Sequence, residues 1–328
     1  MLDLAWYCPS EGDGHHLGTR APERPPSFDY LLRVVRAAER AGAAEILVPT
    51  GAVNDSFAPD APFMESWTTA SALAARTRAI RLIVAVNPAG VSPALAAHQA
   101  ETLERIAPGR IAINLVAGGG PADGYGHPEL GHDERYARLA LLAAALRARF
   151  PGPLYLGGAS PAARALAAEA VDTYLMWGEP PDAIAERVEA MRRLAGRPLR
   201  FGLRLHVIAR RSGTEARAAA AELVSRAAVT ADRAREYGGF DSVGQGRMNA
   251  IAADDQGWVA PGLWAGIRAV RGGAGTALVG SYGEVAAWLR RYRAAGVDLV
   301  IASGYPHLEE VGRVARRVWT RLRDPVPT

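Results

Sequence analysis

The sequence predicts an α/β protein built as a (β/α)8 TIM barrel with long insertion and lid loops on its C-terminal face. Short apolar runs alternate with helical patterns along the whole chain, the arrangement of βα units around a parallel sheet. The runs number eight, which is the number that closes a barrel. Helix signals fill the gaps, with Pro or an upstream Ser or Asp at several starts and Gly42, Gly196 and Gly296 just past several ends. No linker or composition break divides the 328 residues, so 1–328 read as a single domain.

In chain order, strands are expected at 2–8, 45–49, 80–87, 110–116, 154–158, 173–177, 200–209 and 299–303. Helices are expected at 28–41, 65–76, 93–106, 134–149, 161–170, 181–194, 214–228 and 283–295. Two connections exceed a minimal barrel: 50–64, after the second strand, and 230–280, a Gly-rich stretch between the seventh and eighth units. Long loops on this face of a barrel serve as lids or binding loops.

A hydrophobic fraction of 49% with 22% charged residues is that of an ordinary globular protein. No apolar run reaches bilayer length, and a strand-like segment begins at once with no basic region before it, so the expectation is a cytoplasmic protein without membrane contact. Cys8 is the only cysteine, which excludes an intrachain disulfide and a thiolate metal cluster and reads as a small buried hydrophobe. The net charge is +4, but every basic residue is Arg, spread along helical segments without interleaved aromatics, so nucleic acid is not an expected partner.

Polar residues just past the strands converge on one mouth: Glu11, Asp13, His15 and His16; Asn87; Asn114 with the turn 117–120; Gly157 to Ser160; Trp177 to Glu179; Arg204 and His206; and Tyr305 with His307. Gly157-Gly158-Ala159-Ser160-Pro161 runs from strand into helix, so its N–H groups and the Ser160 hydroxyl form a phosphate cradle at a helix N-terminus or, in the alternative reading, an ordinary N-cap. Arg204 and His206 lie two apart on an apolar strand and share a face, which is costly in a lumen unless they are paired or face a ligand. Arg271 precedes Gly272-Gly273-Ala274-Gly275 and reads either as a lid arginine that swings onto an anion or as a solvated loop residue. His15, His16, His127 and His132 lack the spacing of a metal site. Neither a Gly-x-Gly-x-x-Gly fingerprint nor a Walker loop is present, which argues against a self-held nicotinamide cofactor.

Taken together, these segments resemble the FMNH2-dependent alkanesulfonate monooxygenases of the bacterial luciferase-like superfamily. The likeness runs through Gly12-Asp13-Gly14-His15, Leu17-Gly18-Thr19, Pro49-Thr50-Gly51, Leu156 to Ser160, Trp177-Gly178-Glu179-Pro180-Pro181, Phe201 to Ile208, Asp241 to Gln245, Leu263 to Gly266, Arg271 to Gly280 and Ser303 to Glu310. It implies a two-component monooxygenase that uses O2 and reduced FMN from a separate NAD(P)H-dependent FMN reductase. Such an enzyme oxidises an alkanesulfonate or related organosulfur compound to aldehyde and sulfite through a flavin (hydro)peroxide, and assembles as a homodimer or homotetramer. Carried over by position, Tyr136 and Ser160 hold the FMN phosphate with Gly158 and Ala159, and Asn114 lies beside the flavin ring. Arg204, His206, Arg271, Tyr305 and His307 are the implied catalytic residues, Trp177 walls the pocket, and 240–271 is the lid. Glu11, His15, Trp177 and Arg271 are the implied substrate contacts.

Three features depart from the family. Its Cys after the second strand is absent and the loop 52–60 is reworked; Glu11 stands where the family has His; and a segment before the fifth strand is missing. A carboxylate at the mouth repels a sulfonate, unless Glu11 points outward to an arginine. The alternatives are an FMNH2-dependent tailoring monooxygenase acting on a larger metabolite at carbon or nitrogen, a deazaflavin-dependent oxidoreductase, and a non-catalytic flavin-binding protein. The last would need the phosphate cradle but not the cluster of Arg204, His206, Arg271 and Tyr305.

Overall fold

The computed structural model describes all residues except 1, 52, 55, 119–129, 229–241, 252 and 324–328. Eight parallel strands close a barrel: β1 (Asp3–Tyr7), β2 (Glu45–Val48), β3 (Arg81–Val86), β4 (Ile111–Leu115), β5 (Leu154–Gly157), β6 (Thr173–Trp177), β7 (Arg200–Arg210) and β11 (Leu299–Ser303), which pairs with both β7 and β1. Each expected strand lies within one residue of its observed ends. Between β7 and β11 lie β8 (Trp258–Ala260), β9 (Leu263–Trp264) and β10 (Ala277–Ser281).

Side chains alternate cleanly along the barrel strands. Ala5, Tyr7, Leu47, Ile83, Ala85, Ala112, Tyr155, Leu175, Leu299 and Ile301 fill the lumen, while their neighbours pack outward onto the helices. Those helices are α1 (Phe28–Arg40), α2 (Ser66–Arg76), α3 (Pro93–Ile106), α4 (His132–Arg149), α5 (Pro161–Ala170), α6 (Pro181–Ala195), α7 (Gly213–Val224), α8 (Val243–Asn249) and α9 (Tyr282–Ala294). Ser27, Ser92, Ser160, Ser212 and Ser281 each accept a first-turn N–H, a cap worth about 1 kcal/mol. Cys8 is fully buried, as expected of a small hydrophobe.

The bottom of the lumen holds a charged plug absent from the sequence reading. Glu45, 1% exposed, accepts from Tyr155 Oη at 2.7 Å and pairs with Arg200 at 2.8 Å, and Arg200 reaches Asp3 as well. Such a pair tolerates burial only because both partners are present; removal of one costs about 3–5 kcal/mol.

Two corrections concern the C-terminal half. Residues 230–280, expected as lid loop throughout, contain in their described part α8, the β8–β9 hairpin and β10. β10 pairs in parallel with the second half of the long strand β7, His206 to Arg210, whereas β11 pairs with the first half. The Arg204 carbonyl accepts from Gly178, and two residues on the His206 N–H donates to Thr276, so β10 continues the edge that β6 occupies below. The segment after β11, to which no helix was assigned, forms α10 (His307–Val314), a π-helical turn (Ala315–Trp319) and α11 (Thr320–Arg323). No helix among the described residues is long and apolar enough to cross a membrane.

Candidate functional site

Around the C-terminal mouth the strand order sets a ring of side chains: Asn114 from β4, the Gly158–Ser160 turn after β5, Trp177 from β6, Arg204 and His206 from β7, Ser303 and Tyr305 from β11 and its extension, and Tyr7 and Glu11 from β1 and its extension. Of the positions that stand out in the sequence, Gly119, Gly120, His127, Phe240 and Asp241 lie outside the described residues.

The phosphate cradle has the form the spacing predicts. Gly158 adopts φ +145°, and a Cβ there would stand 2.6 Å from Ala163 Cβ and 3.1 Å from the Tyr136 hydroxyl, so only glycine fits. The Tyr174 hydroxyl donates to the Gly158 carbonyl and fixes the turn. Ser160 Oγ accepts from the Ala163 N–H at 3.1 Å and interacts with the Tyr136 side chain, which α4 supplies. Arg164, one turn into α5, has a buried Nε with no hydrogen-bond partner. Its position four residues after the cap is the sequence signal that marks it.

Asn114 points into the lumen between the outward-facing Ile113 and Leu115, and its buried Oδ1 has no hydrogen-bond partner. An orphaned buried acceptor costs free energy, about 1–3 kcal/mol, and marks a place where a ligand donor belongs.

Arg204 and His206 both face the lumen, as their spacing requires. The Arg204 guanidinium lies 4.6 Å from the Tyr7 ring centroid, and Nη1 donates to the Leu205 carbonyl at 2.7 Å. Burial, reinforced by the neighbouring Arg271, lowers its pKa to about 10. Arg271 lies 5.8 Å from the same ring and donates to Tyr305 Oη at 3.0 Å. Burial raises the Tyr305 phenol, which therefore stays protonated as a donor.

His206 is fully buried, and its two ring nitrogens are both engaged. Nε2 donates to the Ala274 carbonyl at 2.8 Å, so the neutral ring accepts at Nδ1 from Ser303 Oγ–H at 2.7 Å. Burial, then the nearby arginines, hold its pKa well below the ordinary imidazole range. His307 is also held: Nδ1 accepts from Trp6 Nε1–H at 3.2 Å and the ring lies beside the Tyr7 backbone, with burial lowering its pKa to about 3. His206, implied as catalytic by the resemblance, therefore presents no free ring nitrogen to the mouth.

Glu11 points inward, not outward. Its carboxylate accepts from Tyr7 Oη at 2.9 Å and from Ser56 Oγ, and lies 3.6 Å from Arg271 Nη2. Asn54 Nδ2 donates to the Glu11 carbonyl at 2.7 Å, so the reworked second loop and Glu11 form one unit. His15 by contrast is exposed and pairs with Glu23 at 2.7 Å, away from the lumen, and His16 is held between Glu23 and Glu222. Asp13 sits beneath the mouth, accepting from the His307 N–H at 2.6 Å and from the Tyr30 hydroxyl, and burial raises it to about 7.

The Arg271 loop is pinned at three points: Arg271 to Tyr305 and Glu11, the Gly273 N–H to Gln245 Oε1 at 3.0 Å, and the Ala274 carbonyl to His206. Trp177 stands between this loop and α8, near Gly273 and Gly244. Ser303 and Gln245 join the site in addition to the residues expected from sequence; for Ser303 the signal is an inward polar position at the end of an apolar strand, the same signal that marks Arg204.

Several solved structures share the architecture over nearly all of the chain. The EDTA monooxygenase from Chelativorans sp. superposes with TM-score 0.76 at 15% identity, covering 98% of this chain and 93% of that one. A riboflavin lyase gives 0.74 at 18%, covering 98% and 91%, and a long-chain alkane monooxygenase 0.73 at 17%, covering 98% and 91%. At these identities the likeness establishes the fold. The family model described as luciferase-like monooxygenase matches residues 2–299, which takes in the first seven barrel strands and ends where β11 begins, and the chain belongs to that family.

Proposed function

We propose that this protein is a two-component monooxygenase that uses reduced FMN, delivered by a separate NAD(P)H-dependent reductase, and O2 to oxidise an alkanesulfonate or related organosulfur compound. The observation that carries the reading is the pairing, at one mouth, of an orphaned acceptor and phosphate cradle on one wall with two buried arginines and a protonated Tyr305 on the other. The residues fit FMN. Gly158, Ala159, Ser160, Tyr136 and Arg164 offer backbone N–H groups at a helix start, hydroxyls and a cation for its phosphate, and Asn114 Oδ1 awaits an N–H donor such as the ring supplies.

When bound, the reduced flavin supplies two electrons to oxygen; one oxygen atom enters the aldehyde, the other leaves as water, and the C–S bond breaks to release sulfite. The protein's own contribution is positional and electrostatic. Arg204 stabilises anionic oxygens, Arg271, balanced by Glu11, holds the Tyr305 hydroxyl, Tyr305 donates a hydrogen bond from a phenol that burial keeps protonated, and the pinned loop with Trp177 excludes water. His206 and His307 act as positioning residues.

The test supplies protein, FMN, a flavin reductase, NADPH and O2, and measures sulfite over alkanesulfonates of several chain lengths. Sulfite with at least one sulfonate supports the reading. None with any, despite tight binding of reduced FMN, refutes desulfonation and favours oxidation of a larger metabolite. Arg271→Ala is expected to keep reduced-FMN affinity and lose turnover, which separates an enzyme from a flavin-storage protein.

A further inference from the structure

Glu11 is seated by four groups from three parts of the chain. Tyr7 Oη and Ser56 Oγ donate to its carboxylate, Asn54 holds its backbone carbonyl, and Arg271 lies 3.6 Å from Oε2. Both the carboxylate and the Arg271 side chain are 7% exposed. A buried charge is retained where a partner compensates it, so the two groups stabilise each other's ionised forms. Arg204, by contrast, forms no ion pair among the described residues; its contacts are the Leu205 carbonyl and the Tyr7 ring.

We propose that Glu11 is a specificity-determining residue: by neutralising Arg271 from a fixed seat it leaves Arg204 as the cation available to substrate, so the pocket accepts a head group carrying at most one negative charge and rejects a doubly charged one. This rests on the reading that the mouth binds substrate. The first charge of a head group meets Arg204; a second must lie against Glu11 or draw Arg271 away from it, leaving a buried carboxylate uncompensated. At the separations of this site an added like-charge contact weakens binding on the order of tenfold or more. The reworked second loop, through Asn54 and Ser56, is the device that holds the carboxylate in place.

The probes are n-octylsulfonate, singly charged throughout, and n-octylphosphonate, whose charge doubles across its second ionisation, titrated calorimetrically into the protein with and without FMN. The expected result is comparable affinity for sulfonate and singly ionised phosphonate, with a fall of about tenfold or more for the phosphonate alone once doubly ionised. Glu11→Gln is expected to abolish that fall and Glu11→Asp to keep it. A phosphonate affinity that stays level or rises on second ionisation overturns the proposal, as does discrimination unchanged in Glu11→Gln. Should Glu11→Gln not fold, the wild-type comparison decides alone. Absence of binding by both probes also overturns it. Reduced-FMN affinity, measured separately, tells failure of this proposal from failure of the flavin reading.

Discussion

Ser303 Oγ and His206 Nδ1 stand 2.7 Å apart in the lumen, on residues directly opposite each other in the β7–β11 pairing. Because the Ala274 carbonyl of the arginine loop can only accept, the imidazole proton sits on Nε2, and Ser303 donates to the bare Nδ1 and holds the ring in that orientation. Ser303 thus acts on Arg271 through His206. Ser303→Ala and His206→Asn are expected to raise amide hydrogen exchange at 272–275 by about fivefold or more, the worth of one hydrogen bond, and to lower turnover while leaving reduced-FMN affinity intact. If exchange in the loop is unchanged in both variants while turnover falls, His206 carries protons and is not a latch.

Asn114 is expected to show opposite effects on stability and binding. Its Oδ1 is buried without a partner, so Asn114→Leu removes a desolvation cost from the ligand-free protein. The melting temperature of that form should stay level or rise, with reduced-FMN affinity falling on the order of tenfold, one hydrogen bond to the ring. A variant that melts lower and binds flavin normally would show that Asn114 serves packing.

Buried His206 and His307 make the fold acid-sensitive in a definite direction. His307 is lowered from 6.5 to about 3, so between these values the unfolded chain binds a proton that the native state refuses. Its contribution is fully present above about pH 6.5 and is lost as pH falls toward 3, at about 1.4 kcal/mol per unit. His206 acts in the same direction, as does Glu23, which its histidine partners lower to about 2 against burial; Asp13, raised to about 7 by burial, Glu310, raised by burial, and His16, raised by Glu222 and Glu23, oppose them. Denaturant melts of His307→Gln across this range should show a shallower acid limb than wild type. Parallel limbs would mean that the native ring accepts its proton freely.

The barrel was legible because a buried parallel strand must be an apolar run, and Arg204 stood out because its type contradicts that rule at an inward position. The same logic failed for Glu45, which opens its strand and reads as an exposed edge until Tyr155 and Arg200 arrive from strands far along the chain. It failed for β10 because flanking glycines hid a short Ala-Leu-Val run, and for α10 because Gly-Tyr-Pro-His reads as a break where the helix begins. Glu11 drew attention by its type, but its inward direction depends on Ser56 and Arg271, 45 and 260 residues away in sequence, and no local pattern encodes that.

Ser160 offers the clearest separation of a structural from a binding role. Its side chain caps α5 through the Ala163 N–H, and the same oxygen is the proposed phosphate contact. Ser160→Ala removes both at once and decides nothing. Ser160→Asp keeps a competent cap, since Asp is as good as Ser there, and favours the positive end of the helix. It also sets a carboxylate where the phosphate is to lie, beside Tyr136 and the Gly158 turn. The expected outcome is a melting temperature equal to or above wild type with reduced-FMN affinity down by about a hundredfold, as two like charges in close contact require. Unchanged flavin affinity would make Ser160 an ordinary cap and move the phosphate elsewhere on the rim.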